Sequence, residues 1–185
     1  MGSIPITEND KLFNRSILIN PDGDIISIYD KIHMFDITLK NGESYKESDF
    51  YSPGSELKIT KVLGHSVGHT ICYDLRYPKL YRALAKKGSQ IIVVPSAFTH
   101  TTGKAHWHSL IKARAIENGV FILAPNQWGV NNEKRVTYGH TLIVDPWGET
   151  LAEAEDGEMI IAAELDLNRV RAVSYTHLRA HETRI

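Results

Sequence analysis

Ser66–Gly88 reads SVGHTICYDLRYPKLYRALAKKG and holds the only cysteine of a 185-residue chain. An apolar-alternating run leads into Cys72, and a helical pattern starts at Pro78, a residue suited to the first helical position because it lacks the N–H that would go unpaired there. Leu80 and Leu84 then fall one turn apart, and Gly88 ends the pattern. The thiol is therefore expected where a strand gives way to a helix. In α/β sheets that carboxyl edge is where ligands bind.

Working outward, QIIVVPSAF (90–98) and VFILAPN (120–126) are continuous apolar runs of the kind buried on both sheet faces. Between them GKAHWHSLIKARAIENG (103–119) sets Trp107, Leu110, Ile111 and Ala115 on one helical face. Upstream, LFNRSILIN and DIISIYDKIHMF flank PDG and read as a hairpin; KITKVLGHSVGHTIC gives two short strands around Gly64. Residues 36–53 are polar, without a period, and predict a long loop of the sort that carries function. HTLIVDPWGE and EMIIAAELD are the last expected strands. Strand, helix, strand, helix, strand through the middle makes the class α/β, in one domain.

A net charge of -1 gives no global reason for nucleic acid or anionic membrane as a partner. No apolar run reaches the length of a membrane span, and MGSIPITENDK lacks a signal-peptide pattern. One cysteine excludes an internal disulfide and suits a reducing compartment, so the expected setting is cytoplasmic.

A lone cysteine is most often a small buried hydrophobe. Cys72 differs by position: a sulfur on a sharp turn leaves nearby backbone N–H groups free to meet an oxyanion. Lys31 ends a strand and is either solvated or a cationic donor to developing negative charge. Glu47, in the long loop, is either solvated or turned inward to hold a lysine. Among nine histidines His33, His100, His106 and His140 stay open as partners of the thiol, while His69 falls on the opposite strand face from Cys72. Arg76 pairs with Asp74 or another acid, or clamps a substrate carboxylate through its planar fork. Ala97, Phe98 and Thr99 follow a buried strand and reach the same edge as Cys72, as pocket lining or as an ordinary loop. His106 and His108 point about 200° apart on a helix and do not share one ion. Asn126 and Gln127 hydrogen-bond a substrate or cap a strand end, and Tyr138 and His140 are expected to hydrogen-bond within the core.

YDKIHMFDI, YKESDFYSPG, GHTICYDLRYPKLYR, PSAFTHTTGKAHWHSLIKARAIENGVFILAPNQWG and TYGHTLIVDPWGE succeed one another in the order and spacing of the nitrilase superfamily of carbon–nitrogen hydrolases. From Gly2 to about Val170 the chain resembles that family, and within it the amidase branch of deaminated-glutathione amidases and ω-amidases.

The resemblance implies an α-β-β-α sandwich, a Glu–Lys–Cys triad, and no metal or organic cofactor. It makes Cys72 the nucleophile, gives the oxyanion to Lys31 and the backbone N–H of Tyr73, and casts Glu47 as a second glutamate that orients the lysine. Arg76, Ala97, Phe98 and Thr99 become substrate contacts. The substrate is a small carboxylated amide, with carbamoyl amides or nitriles as alternatives, and the family habit of pairing implies a homodimer or larger homo-oligomer. The triad's proton-shuttling glutamate would lie upstream of residue 1, since Glu8 falls in the wrong motif. The chain is thus expected to be an N-terminally incomplete hydrolase domain over residues 1–173. The expected activity is amide hydrolysis through a thioester with release of ammonia; a catalytically impaired fragment or a scaffold is the alternative, expected if residue 1 is the true start. The tail, 174–185, departs from the family pattern. A Cys–His thiol hydrolase is the remaining reading.

Overall fold

Alternation in the first third of the chain does produce paired strands. The structure, a computed structural model describing residues 2–38, 42, 44–132 and 135–173, adds one more before them. Strands β1 (Ile4–Glu8), β2 (Lys11–Ile19) and β3 (Ile25–Asp30) form an antiparallel sheet. The hairpin joining β2 and β3 turns where PDG predicts it. The segment read as a long loop contains a short antiparallel pair, β4 (Asp36–Thr38) and β5 (Ser44–Lys46), followed by a single 3-10 turn at Glu47–Asp49.

The main sheet begins with β6 (Ile59–Val62) and β7 (His65–His69). After Cys72 come α1 (Pro78–Lys86), β8 (Ile91–Val93), α2 (His100–Asn118) and β9 (Phe121–Ala124). A ribbon of β10 (Trp128–Asn132) and β11 (Arg135–Tyr138) precedes β12 (Leu142–Val144) and β13 (Thr150–Glu153), and α3 (Asn168–Val173) closes the described chain. Strand order in the six-stranded sheet is β13-β12-β9-β8-β7-β6, with β7, β8 and β9 parallel. The α/β expectation holds.

The helices cover one face. Leu80, Leu84, Trp107, Ile111 and Ala115 are buried with Ile92, Val94, Ile122 and Leu142. Leu80 and Leu84 repeat as i and i+4 and so share one stripe of α1. Against the other face lies the three-stranded sheet. Thr60 donates to Ser27 at 2.6 Å, and the Tyr29 and His69 rings approach to 6.5 Å between centroids. The described residues thus stack as helix, sheet, sheet, three layers of the four expected.

One expected strand needs correction. EMIIAAELD is not a strand: residues 158–166 are irregular, and Ile160 is 98% exposed. Its apolar residues find no sheet partner because β13, contributed by residues just after the PWG turn, is what pairs with β12. The β10–β11 ribbon had no counterpart in the sequence reading, since its alternation is broken by a run of polar residues. The tail reading, 174–185, lies outside the described residues.

Candidate active site

Parallel pairing brings the site together. Beyond the strands proper the ladder continues: Thr70 N–H donates to Val93 O, Cys72 N–H to Pro95 O, and Ser96 N–H to Pro125 O, at 2.9–3.1 Å. Three consecutive carboxyl ends therefore finish level with one another. At Cys72 the backbone turns sharply with φ 49, a left-handed conformation unusual for a side-chain-bearing residue, and enters a 3-10 turn over Cys72–Arg76. The amides of Cys72 and Asp74 are used within the protein, by Pro95 O and Ile71 O; the described hydrogen bonds do not use that of Tyr73.

Asp74 fixes this turn. Fully buried, it accepts from Tyr29 Oη at 2.7 Å and Ile71 N–H at 2.9 Å through Oδ2, and from the His33 amide at 3.0 Å through Oδ1, with His33 Nδ1 at 2.7 Å. One carboxylate thus ties the thiol turn to the segment that carries Lys31. Asp74 is taken by these groups and not by Arg76, as the sequence had allowed. Burial and the Asp74 charge drive the Tyr29 phenol far above its usual range.

Lys31 is 2% exposed and ion-paired to Glu47 Oε2. The Phe35 amide donates to the same oxygen at 2.7 Å, and Asn14 Nδ2 reaches Oε1 at 3.3 Å. Glu47 is held in turn by its 3-10 turn, where its carbonyl accepts from Phe50 and Tyr51 N–H. The Lys31 backbone is gripped on both sides, its N–H donating to Asn14 O and its carbonyl accepting from Gly54 N–H at 2.8 Å. A Cβ at Gly54 would press into the Asp30 carbonyl, so that close approach requires glycine.

Lys31, Glu47, Cys72, Tyr73, Ala97, Phe98 and Thr99 all line one cavity of about 680 Å3. Seven of the eight site residues read from the sequence are brought together. Arg76 is placed otherwise: its guanidinium lies over the Tyr73 and Phe98 rings, with Nη2 3.2 Å from His106 Nδ1, outside the lining. No histidine lines the cavity among the described residues, which leaves the Cys–His alternative without a partner for the thiol. Asn126, read as substrate contact or cap, has its side chain spent on the Phe98 amide (3.0 Å) and Gly139 O (2.6 Å). Sequence reading missed Asn14, the Asp74 hub and Arg135, which also lines the cavity. No local motif marks Asn14; its role depends on a contact 33 residues away.

His106 and His108 do diverge. His108 Nε2 meets Glu153 Oε1 at 2.7 Å, and His140 Nδ1 meets the same oxygen at 3.0 Å, a cluster away from the cavity whose ligand-type atoms lie within 4.8 Å of one another. Burial opposes ionisation of Glu153, but the two imidazole contacts prevail and lower its pKa. Trp107 donates to His140 O at 2.7 Å and is fully buried, as a core residue.

His69, on the far face of β7, is pushed down to about 4, chiefly by burial and then by Lys58. A histidine whose native pKa lies below its unfolded value loses stability as pH falls, here between about 6.5 and 4. That loss is of order 3 kcal/mol. In urea titrations at pH 7, 5.5 and 4, His69→Leu should remove most of this slope; an unchanged slope would assign it elsewhere.

The carbon-nitrogen hydrolase family profile matches residues 1–175. Among curated proteins the chain is similar to the deaminated glutathione amidase of Yersinia enterocolitica, 40% identical over 177 residues, covering 94% of this chain and 62% of that protein. It is 44% identical over 171 residues to the probable hydrolase nit2 of Schizosaccharomyces pombe, covering 90% and 62%. Omega-amidase NIT2 of Xenopus tropicalis is 39% identical over 166 residues, covering 90% and 60%. The crystal structure of Saccharomyces cerevisiae Nit3, a member of branch 10 of the nitrilase superfamily, superposes with a TM-score of 0.88 at 34% identity, covering 100% of this chain and 65% of that one. The chain spans about 60% of the length of these curated relatives. Among the described residues no helix is long and apolar enough to cross a membrane. With sequence and backbone agreeing along nearly all of its length, this chain belongs to the carbon-nitrogen hydrolase family.

Proposed function

We propose that the protein is a cysteine-dependent amidase for small carboxylated amides. The observation that carries this reading is that Lys31, Glu47 and Cys72, from three separate segments, line one cavity. In the proposed reaction Sγ of Cys72 attacks the amide carbonyl carbon. The oxygen becomes an oxyanion held by Lys31 Nζ and the amide of Tyr73, an arrangement in which one donor is worth about 10²–10³ in rate. Collapse breaks the C–N bond; the nitrogen takes the proton that the Cys72 thiol gave up and leaves as ammonia, and the acyl group stays on sulfur as a thioester. Water then releases the acid and restores the thiol. Relatives named deaminated glutathione amidase and omega-amidase point to deaminated glutathione or an ω-amide of a 2-oxo acid as substrate types.

Glu47 is the one carboxylate among the described residues lining the cavity, and it is engaged by three donors. The reading therefore expects acylation of the 185-residue chain to outpace hydrolysis of the thioester, which favours the second reading, an impaired hydrolase, for this chain alone. A homodimer and a reducing, cytoplasmic setting belong to the same proposal. The test is ammonia release from ω-amides, carbamoyl amides and nitriles of matched size, by wild type and Cys72→Ser. Release from ω-amides above the other two, lost in Cys72→Ser, supports the reading; release that survives in Cys72→Ser sinks it.

A further inference from the structure

Among the described residues lining the cavity, Arg135 is the buried-side cation left without a carboxylate partner. Of the charged side chains lining it, Lys31 is neutralised by Glu47, and Lys46 is exposed at a position cross-strand from Asp36. Arg135 is half-buried at the start of β11 and donates from Nη2 to Ala97 O at 3.2 Å. Its Nε is buried yet meets no acceptor, and no carboxylate pairs with it among the described residues. Guanidinium carries five N–H donors in a planar fork matched to a carboxylate. A buried donor of this kind left without a partner is costly unless something supplies the acceptor.

The position is also rigid. Thr137, two residues on, bridges to Thr99, and Tyr138 N–H donates to Phe98 O at 3.0 Å. The strand carrying Arg135 is thus stitched to the loop that supplies Ala97, Phe98 and Thr99 to the cavity wall. Arg76, the arginine the sequence offered for this task, faces His106 and two aromatic rings instead.

We infer that Arg135 anchors a substrate carboxylate, so that the amide hydrolysed at Cys72 carries an acid group at a fixed distance from the bond that breaks. The inference rests on the amidase reading for the identity of the reaction, but not for the binding it describes. An anchor fixed to the wall makes carboxylate binding depend on chain length, which charge attraction alone does not.

The test uses alkylation of Cys72, the sole cysteine, by iodoacetamide in the 185-residue chain. Straight-chain dicarboxylates of about four to eight carbons, a span suited to a cavity of this class, are added as protectants beside the diamides of the same lengths. Wild type should be protected best by a dicarboxylate of one length. Arg135→Met should raise the half-protecting concentration of that acid about tenfold or more, with less than about a twofold change for its diamide. Arg135→Lys should retain part of the preference, and serves as the probe if the methionine variant does not fold. Arg76→Met should leave the preference intact. Equal protection by acids and diamides in wild type, equal loss for both in Arg135→Met, or loss that follows Arg76→Met instead would overturn the inference. Failure of the amidase reading is separate: it would show as no ammonia from any amide while acid protection persists.

Discussion

Lys31→Met lowers the rate at which Cys72 is acylated by about 10²–10³-fold, the loss expected when one donor to an oxyanion is removed. Nζ is the cationic group beside the thiol turn that is both buried and held in place. Glu47 fixes it at one end, and the Asn14 and Gly54 contacts fix its backbone. Such a donor needs no reorganisation when charge develops, which is why its removal costs rate more than binding. Lys31→Arg is not expected to restore the rate, because a planar fork cannot occupy the site of a compact ammonium. Stopped-flow release of 4-nitrophenol from an activated ester reads acylation without requiring hydrolysis. Glu47→Gln, which keeps an acceptor for Lys31 but removes the charge, should fall between the two. A Lys31→Met rate within threefold of wild type would remove the lysine from the chemistry.

The second large effect is on stability. Asp74→Ala strands the amides of Ile71 and His33 and the phenol of Tyr29, all without another acceptor in the described hydrogen bonds. Breaking a buried charged hub of this kind costs about 3–5 kcal/mol. Asp74→Asn, which keeps an acceptor oxygen and the volume, should cost less than half as much. Because Asp74 joins the thiol turn to the Lys31 segment, the alanine variant should also lose acylation under conditions where circular dichroism still reports a folded chain. Urea midpoints compare the two variants. Equal, small effects from both would reduce Asp74 to an ordinary buried acid.

The parts of this arrangement that the sequence made legible are the local ones. Pro78, Leu80 and Leu84 write out α1 with spacing and a start signal, and the apolar runs of β8 and β9 announce buried parallel strands. Cys72 could be set at their carboxyl edge because strand, turn and helix succeed one another within a few residues. What sequence could not show is what depends on distance along the chain. The grip on Glu47 joins residues 14, 31, 35 and 47, and the Asp74 hub spans residues 29 to 74. Neither leaves a local period or motif. Residues 158–166 misled for the opposite reason. The short apolar run there met the strand pattern, but β13 takes the place beside β12, and pattern without a partner does not make a strand. Arg76 and Arg135 follow the same lesson. Proximity to Cys72 in sequence favoured the first, whereas the β10–β11 ribbon carries the second to the cavity from a segment with no motif to recommend it.

One measurement bears on the whole account: peptide mapping by mass spectrometry after the 185-residue chain is mixed with an activated 4-nitrophenyl ester of a small dicarboxylic acid and quenched in acid. The account predicts a single acyl group, on the peptide containing Cys72, labile to hydroxylamine as a thioester is, and strongly reduced in Lys31→Met. Acyl label on any other residue, or label on Cys72 that forms equally fast without the lysine, would contradict it.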